Sequence, residues 1–209
     1  MDPSSLSNLQ LDALRELGNI GAGNAATALS AMLSSFVDMD VPKAEPVSIY
    51  ELAGHYGDPL EMVSAVFVRS EGEFTCSLIF IQSVEEGGRL VDMLISRQME
   101  GMDPAAVSEE MRNSALTELG NIILSSFLNA INMLIGGAHS ISVPGLAHDM
   151  LGSILDVVAS IYGQFGEHAL IIDTSLRIGG EEAGSISGKV AMLPDPGSFE
   201  ILLRKLQVL

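Results

Sequence analysis

The sequence predicts a mixed α/β protein, an α+β sandwich in which two long helices cover one sheet of six mainly antiparallel strands. The first observation behind this is a repeat. Leu14-Arg15-Glu16-Leu17-Gly18-Asn19-Ile20 recurs as Leu116-Thr117-Glu118-Leu119-Gly120-Asn121-Ile122, six identities in seven at an offset of 102 residues. At the same offset Ala28 matches Ala130, Val41 matches Val143 and Pro42 matches Pro144. The second observation is that each copy lies in a long run with helical periodicity and is followed by shorter β-type runs. The third is the order helix, strand, strand, strand, helix in both halves, with short connections that favour antiparallel pairing. The 209 residues are therefore expected to form one domain with a pseudo-two-fold axis, built from two pseudo-repeats at about 8–100 and 105–207.

The first half opens with a helix from about Asn8 to Phe36. Alternation of Val37, Met39 and Val41 predicts a short strand that Pro42 ends. Residues 49–55 read as a helical turn. Strands near Met62–Arg69 and Phe74–Ile81 flank the turn Ser70-Glu71-Gly72-Glu73, and a helix near Val84–Arg97 closes the half. The second half places its long helix at about Ala105 to Ile135 and its short strand at His139–Val143, ended by Pro144. A helix near Asp149–Tyr162 stands where the first half has only a turn. Strands near Ala169–Arg177 and Ser185–Met192 flank an acidic Gly179–Gly184 loop, and a helix at about Gly197–Gln207 ends the chain.

Composition removes several function classes. Ten Lys and Arg against 27 Asp and Glu give a net charge of −17. Residues 1–104 hold 16 of the acids and 105–209 hold 11, so the charge coats the surface and is not an acidic tail. Nucleic-acid binding is disfavoured, because phosphate contacts need clustered Lys and Arg, and the only lysines are Lys43, Lys189 and Lys205. The excess acid also fits a salt-loving host. A single cysteine, Cys76, excludes an internal disulfide framework and reads as a core residue of its strand. His55, His139, His148 and His168 lack metal-ligand spacing, so no metal site is expected. The 11 methionines read as core filler. The N-terminal stretch lacks a basic and an apolar signal region, which points to the cytoplasm.

Residues 17–37 and 119–148 carry no acidic or basic side chain other than histidine, and each run is long enough to span a bilayer. In the second run, however, Asn121, Ser125, Asn129 and Asn132 recur at steps of four, four and three, one stripe of an amphipathic helix. The first run holds Gly18, Gly21 and Gly23 with Asn19, Asn24 and Thr27. Partly buried helices without membrane insertion are the expectation.

The candidate chemistry lies on the two long helices. Asp12, Glu16 and Asn19 are spaced by four and three residues and share one helical face; Ser114, Glu118 and Asn121 repeat the spacing. A merely solvated face accommodates such residues. Against it stand the poor helix propensity of Asn, about half a kcal/mol below Ala, and the identity of the Glu/Asn pair in both halves while Arg15 and Thr117 have diverged. Gly18, Gly21 and Gly23 imply close approach of a neighbouring element. A phosphate loop is the rival account of them, but no strand precedes GNIGAGN and no Lys-Ser/Thr follows.

The pattern Asp or Ser, three residues, Glu, two residues, Asn, twenty-two residues, Pro occurs as Asp12, Glu16, Asn19, Pro42 and as Ser114, Glu118, Asn121, Pro144. It closely resembles the CheC family of chemotaxis phosphatases, within the CheC/CheX/FliY group, over essentially the whole chain from about residue 8. Two intact motifs resemble the CheC type and not CheX, which carries one. The resemblance implies a CheC-like fold and hydrolysis of the aspartyl phosphate of a CheY-type response regulator. Asn19 or Asn121 would orient the attacking water, and Glu16 or Glu118 would pair with a partner lysine. Mg²⁺ would come with the regulator, with no cofactor held by this chain. Asp12 and Ser114 would support the glutamates. A receptor deamidase of the CheD type would be a second partner, docking on the 149–162 helix with Asp149 exposed. A monomer suffices for two sites. Two further readings stay open: a binding module that sequesters phosphorylated CheY or regulates CheD without catalysis, and a structural part of the flagellar motor.

Overall fold

A computed structural model describes residues 6–98, 103–136, 139–163, 168–178 and 185–208. The chain begins with helix α1 (Asn8–Leu33) and strand β1 (Val37–Ser48). A short helix α2 (Leu52–Tyr56), strands β2 (Met62–Gly72) and β3 (Cys76–Ser83) and helix α3 (Val84–Gln98) follow. A single 3-10 turn at Pro104–Ala106 precedes helix α4 (Glu109–Ile135). Then come β4 (His139–Ile141), β5 (Gly145–Met150), α5 (Leu151–Tyr162), β6 (His168–Ile178), β7 (Ser185–Pro194) and α6 (Ser198–Lys205). The two long helices start at serine caps, as expected of a short side chain that can accept from an orphan N–H. Ser7 Oγ accepts from Gln10 N while Gln10 Oε1 accepts from Ser7 N, a reciprocal capping box, and Ser108 Oγ accepts from Met111 N. Gln10 Nε2 also donates to Val208 O, which ties the start of α1 to the C-terminal end of the described chain.

All pairings are antiparallel, in the order β1-β6-β7-β3-β2-β4, with β5 also on β2. Exchanging the first six elements for the later ones maps this order onto itself. β1 beside β6 answers β4 and β5 beside β2, β6–β7 answers β2–β3, and the β3–β7 pair lies at the centre. Each outer strand thus pairs with an inner strand from the other half of the sequence.

The expected count of six strands becomes seven, for a local reason. Between Asp40↔Ser175 and Lys43↔Asp173 the β1–β6 register slips by one residue, and Pro42 sits in that bulge. β1 therefore continues to Ser48 and does not stop at Pro42 as the sequence suggested. Between Ser70↔Ile141 and Phe67↔Gly145 the register slips by one residue as well, and here Pro144 lies in a full interruption that splits β4 from β5. A proline has no N–H for the ladder, so both prolines occupy the point where an unpaired residue is tolerated. The helix expected from Asp149 begins at Leu151. Asp149 itself belongs to β5, opposite Val63, and its side chain accepts from Met150 N at 2.7 Å. The Gly179–Gly184 loop lies outside the described residues.

The sheet has a core on each face. Val66, Val68, Leu78, Phe80, Ile172 and Val190 meet α1, α3, α4 and α6 through Leu14, Leu17, Leu90, Leu119, Phe127 and Leu203. The alternate residues Val63, Ala65, Ile79, Ile81 and Ile171 meet α2 and α5 through Leu52, Leu151, Leu155 and Val158. β3 is covered on both faces and is buried from Cys76 to Gln82. Helix α4 is long and apolar enough to cross a membrane, yet over half of its most apolar stretch is buried inside the protein.

Candidate functional site

Helices α1 and α4 pack on each other and on the sheet, and glycines set how closely. A β-carbon on Gly21 would meet the Phe127 ring at 2.7 Å and its Cα at 3.0 Å, so this glycine admits α4. Gly18 approaches Val41 of β1, where a β-carbon would lie 3.3 Å from Cγ1. Its counterpart Gly120 approaches Val66 of β2, where the distance would be 2.6 Å. Close approach thus accounts for Gly18 and Gly21. It does not account for Gly23, where a β-carbon would have nothing within 4 Å.

With Leu14, Leu17, Gly18 and Gly21 buried, helical geometry turns Asp12, Glu16 and Asn19 outward, and all three are exposed. On α4 the buried set Leu116, Leu119, Gly120 and Ile123 turns Ser114, Glu118 and Asn121 outward. Ser114 and Glu118 are exposed and Asn121 is half-buried. Each helix therefore presents a glutamate carboxylate and an asparagine carboxamide a single turn apart.

The two faces differ in detail. Asp12 is paired with Arg15 at 3.0 Å in the open, and at the 102-residue offset the pair is Ser114 and Thr117, which carry no charge. The Thr117 hydroxyl instead donates to the Asn113 carbonyl at 2.7 Å. Asn121 Oδ1 accepts from Ser125 Oγ at 3.2 Å, and the residue matching Ser125 in the first half is Gly23. Near the start of α4, His148 of β5 joins two elements: its Nδ1 lies 2.9 Å from Ser64 Oγ of β2 and its Nε2 2.9 Å from Asn113 Oδ1 of α4. Neither Ser125 nor His148 stands out as functional in the sequence. The Gly23/Ser125 difference is the available signal for the first, and none exists for the second, whose partners are 84 and 35 residues away.

Cavities of about 470, 330 and 370 Å³ open on the described surface, and Glu16, Asn19, Glu118 and Asn121 line none of these three. Among the described residues no cluster of three or more His, Cys, Asp or Glu is placed to hold a metal ion. Cys76 is fully buried, and burial pushes its thiol pKa above the ordinary value. The carboxylate and carboxamide on each helix face are enclosed by none of these three cavities. They are suited to meet a protein surface, where a carboxylate pairs with a cation and a carboxamide both donates and accepts hydrogen bonds.

Comparison with known proteins places the chain among chemotaxis proteins. A profile of the CheC-like family matches residues 9–45. The chain is 36% identical over 193 residues to the CheY-P phosphatase CheC of Bacillus subtilis (strain 168), which covers 92% of this chain and 91% of that protein. It is 22% identical over 200 residues to the putative CheY-P phosphatase CheC1 of Halobacterium salinarum, covering 94% of this chain and 96% of that one. Among solved structures, Thermotoga maritima FliY superposes with a TM-score of 0.73 at 17% identity, covering 97% of this chain and 98% of that chain.

Proposed function

The chain belongs to the CheC-like family, and from that premise we propose that it is a hydrolase acting in the cytoplasm on the aspartyl phosphate of a CheY-type response regulator. The observation that carries the reading is the duplicated Glu/Asn pair, turned outward at the same helical spacing on α1 and on α4. The 36% identity to a CheY-P phosphatase over almost the whole chain supports the substrate class.

The chemistry asks little of this chain. Hydrolysis of an acyl phosphate joins a water oxygen to phosphorus and breaks the bond to the aspartate oxygen, which leaves as carboxylate. The water gives up a proton as inorganic phosphate forms. Such a transfer depends mainly on in-line positioning and charge neutralisation. The regulator brings the phosphorylated aspartate and its Mg²⁺, so this chain binds no cofactor of its own. Asn19 or Asn121 accepts from the water and holds it in line. Glu16 or Glu118 pairs with a lysine of the regulator and fixes the docked geometry. Asp12 and Ser114, one turn before each glutamate, stand at the margin of each site. One copy of the chain carries both sites and acts as a monomer.

A deamidase of the CheD type docks on α5 in this reading. Asp156, Val157 and Ile161 are exposed there, and Asp149, on β5 just before the helix, is exposed beside them.

Release of phosphate from the host's phosphorylated regulator, followed with and without this chain, tests the function. Turnover far above stoichiometry supports it. A shortened regulator phosphate lifetime that saturates at one equivalent, or none at all, would instead favour sequestration by a binding module.

A further inference from the structure

We infer that Ser125 is a positioning residue for the carboxamide of Asn121, so that the two helices carry unequal sites. The inference rests on the phosphatase reading and adds to it which site is preorganised and by what. The Ser125 hydroxyl donates to Asn121 Oδ1 at 3.2 Å across one turn of α4. The next serine along the helix, Ser126, sends its hydroxyl to the Ile122 backbone carbonyl at 2.7 Å, the usual local partner. Ser125 is directed at a side chain instead. Asn121 is half-buried and Asn19 exposed, so the same residue type is held in one helix and solvated in the other.

The first helix has Gly23 where the second has Ser125. Packing does not demand this glycine, because a β-carbon there would have nothing within 4 Å. Its backbone φ is not in the left-handed region either, since it is absent from the positive-φ residues. Gly23 therefore differs from Gly18 and Gly21, whose missing side chains admit β1 and α4. Its one consequence for the site is that Asn19 lacks a hydroxyl one turn on.

The chemistry follows from the inventory of a carboxamide. Its oxygen has two lone pairs and its nitrogen two N–H donors. Ser125 takes one lone pair and fixes the amide plane. The second lone pair and both donors remain for a water and a phosphoryl oxygen. A held amide loses less side-chain freedom when the water must be aligned, and the gain belongs to the transition state and not to docking.

The test uses the full-length chain and the host's phosphorylated regulator, in two backgrounds. Asn19→Ala leaves only the α4 site, and Asn121→Ala leaves only the α1 site. In the first background Ser125→Ala is expected to lower kcat roughly three- to tenfold, the factor for losing one net hydrogen bond, with KM unchanged. Ser125→Thr restores the rate. In the second background Gly23→Ser raises kcat by a similar factor while Gly23→Ala, which adds helix propensity alone, does not. A Ser125→Ala variant with full kcat, or one that loses only in KM, overturns the inference. So do equal effects of Gly23→Ser and Gly23→Ala, and that comparison decides the matter should Ser125→Ala fail to fold. The double variant Asn19→Ala/Asn121→Ala separates the two levels. If it keeps the parental rate, the phosphatase sites themselves are misassigned and the inference falls with them; if it is inactive, the Ser125 and Gly23 results speak to positioning alone.

Discussion

Gly120 of α4 lies so close to Val66 of β2 that a β-carbon on the glycine would stand 2.6 Å from the valine's own Cβ. Glu118 and Asn121 flank that glycine, so the backbone that presents them rests directly on the sheet. On α1 the contact of Gly18 with Val41 is looser, at 3.3 Å. The two helices are seated by the same device with different tolerance.

Gly120→Ala is expected to destabilise the protein by about 1–3 kcal/mol, the range for forcing volume into a packed interior. Gly18→Ala should be near neutral, because about 1 kcal/mol of helix propensity offsets a contact that a small shift of Val41 relieves. Urea midpoints at constant m-value compare the two. Equal midpoints would mean that the sheet yields as readily under α4 as under α1.

Asn19→Ala and Asn121→Ala combined are expected to remove roughly 10²-fold of the added phosphate-release rate, the scale for deleting one positioned polar group. Glu16→Ala combined with Glu118→Ala should act chiefly through KM, since a docking contact is made equally in ground and transition states. Steady-state kinetics over a range of phosphorylated regulator distinguishes these signatures.

Asp195 accepts from both terminal nitrogens of Arg69, at 3.1 and 2.6 Å, and raises the arginine's pKa. The pair is partly sheltered, with side chains 33% and 25% exposed. Asp195→Asn is expected to cost about 1 kcal/mol, the lower end for a charge-assisted contact once solvent screening is allowed for. Arg177, which reaches both Asp38 and Asp40, makes its pairs with all three side chains 44–50% exposed. Arg177→Met should leave the melting temperature essentially unchanged, because exposed pairs are screened by solvent. Thermal melts at low and high salt check both, and salt should shrink the Asp195→Asn effect.

Burial raises the pKa of the Cys76 thiol and of the Tyr56 phenol. Both groups are neutral in the folded state, so the unfolded chain releases their protons first as pH rises. Their contribution is intact below the ordinary values of 9.0 for the thiol and 10.0 for the phenol, and is lost progressively above them. Stability should therefore be flat near neutrality on this account and fall from about pH 9 upward. The Tyr56 hydroxyl is buried without a hydrogen-bond partner, so Tyr56→Phe should be neutral or slightly stabilising at pH 7 and should flatten the alkaline decline. Urea titrations at several pH values measure this.

Much of the fold was legible because the repeat and the helical periods are local properties of the sequence. Leu14, Leu17 and Gly21 face inward and Glu16 and Asn19 outward, as a 3.6-residue period requires. A proline breaks a strand in isolation, but here the bulge opposite Thr174, between the Asp40–Ser175 and Lys43–Asp173 pairs, accommodates Pro42. That depends on a strand more than a hundred residues away. Asp149, the expected helix start, lies in a strand, and the helix begins at Leu151. Asp149 accepts from Met150 N while remaining in β5, since Val63 offers it a pairing partner. On the candidate site, spacing located both Glu/Asn pairs on outward-turned helix faces. The Ser125 contact was not legible in the same way, because it lies where the two halves differ and not in what they share.

The crossed pairing of the outer strands bears on how the protein is made. When the ribosome has released residues up to Gln98, β2 and β3 can already form their hairpin, but β1 still lacks β6 and β2 still has one bare edge. The partners of Val37 and Val47 in β1, Ile178 and Ala169, are synthesised more than a hundred residues later. Ladder formation across such separations is slow, and an unpaired edge is a template for a neighbouring chain. The nascent first half therefore carries unpaired strand edges until the second half is made. Two fragments divided between α3 and α4 should find their native shape only when they are produced together.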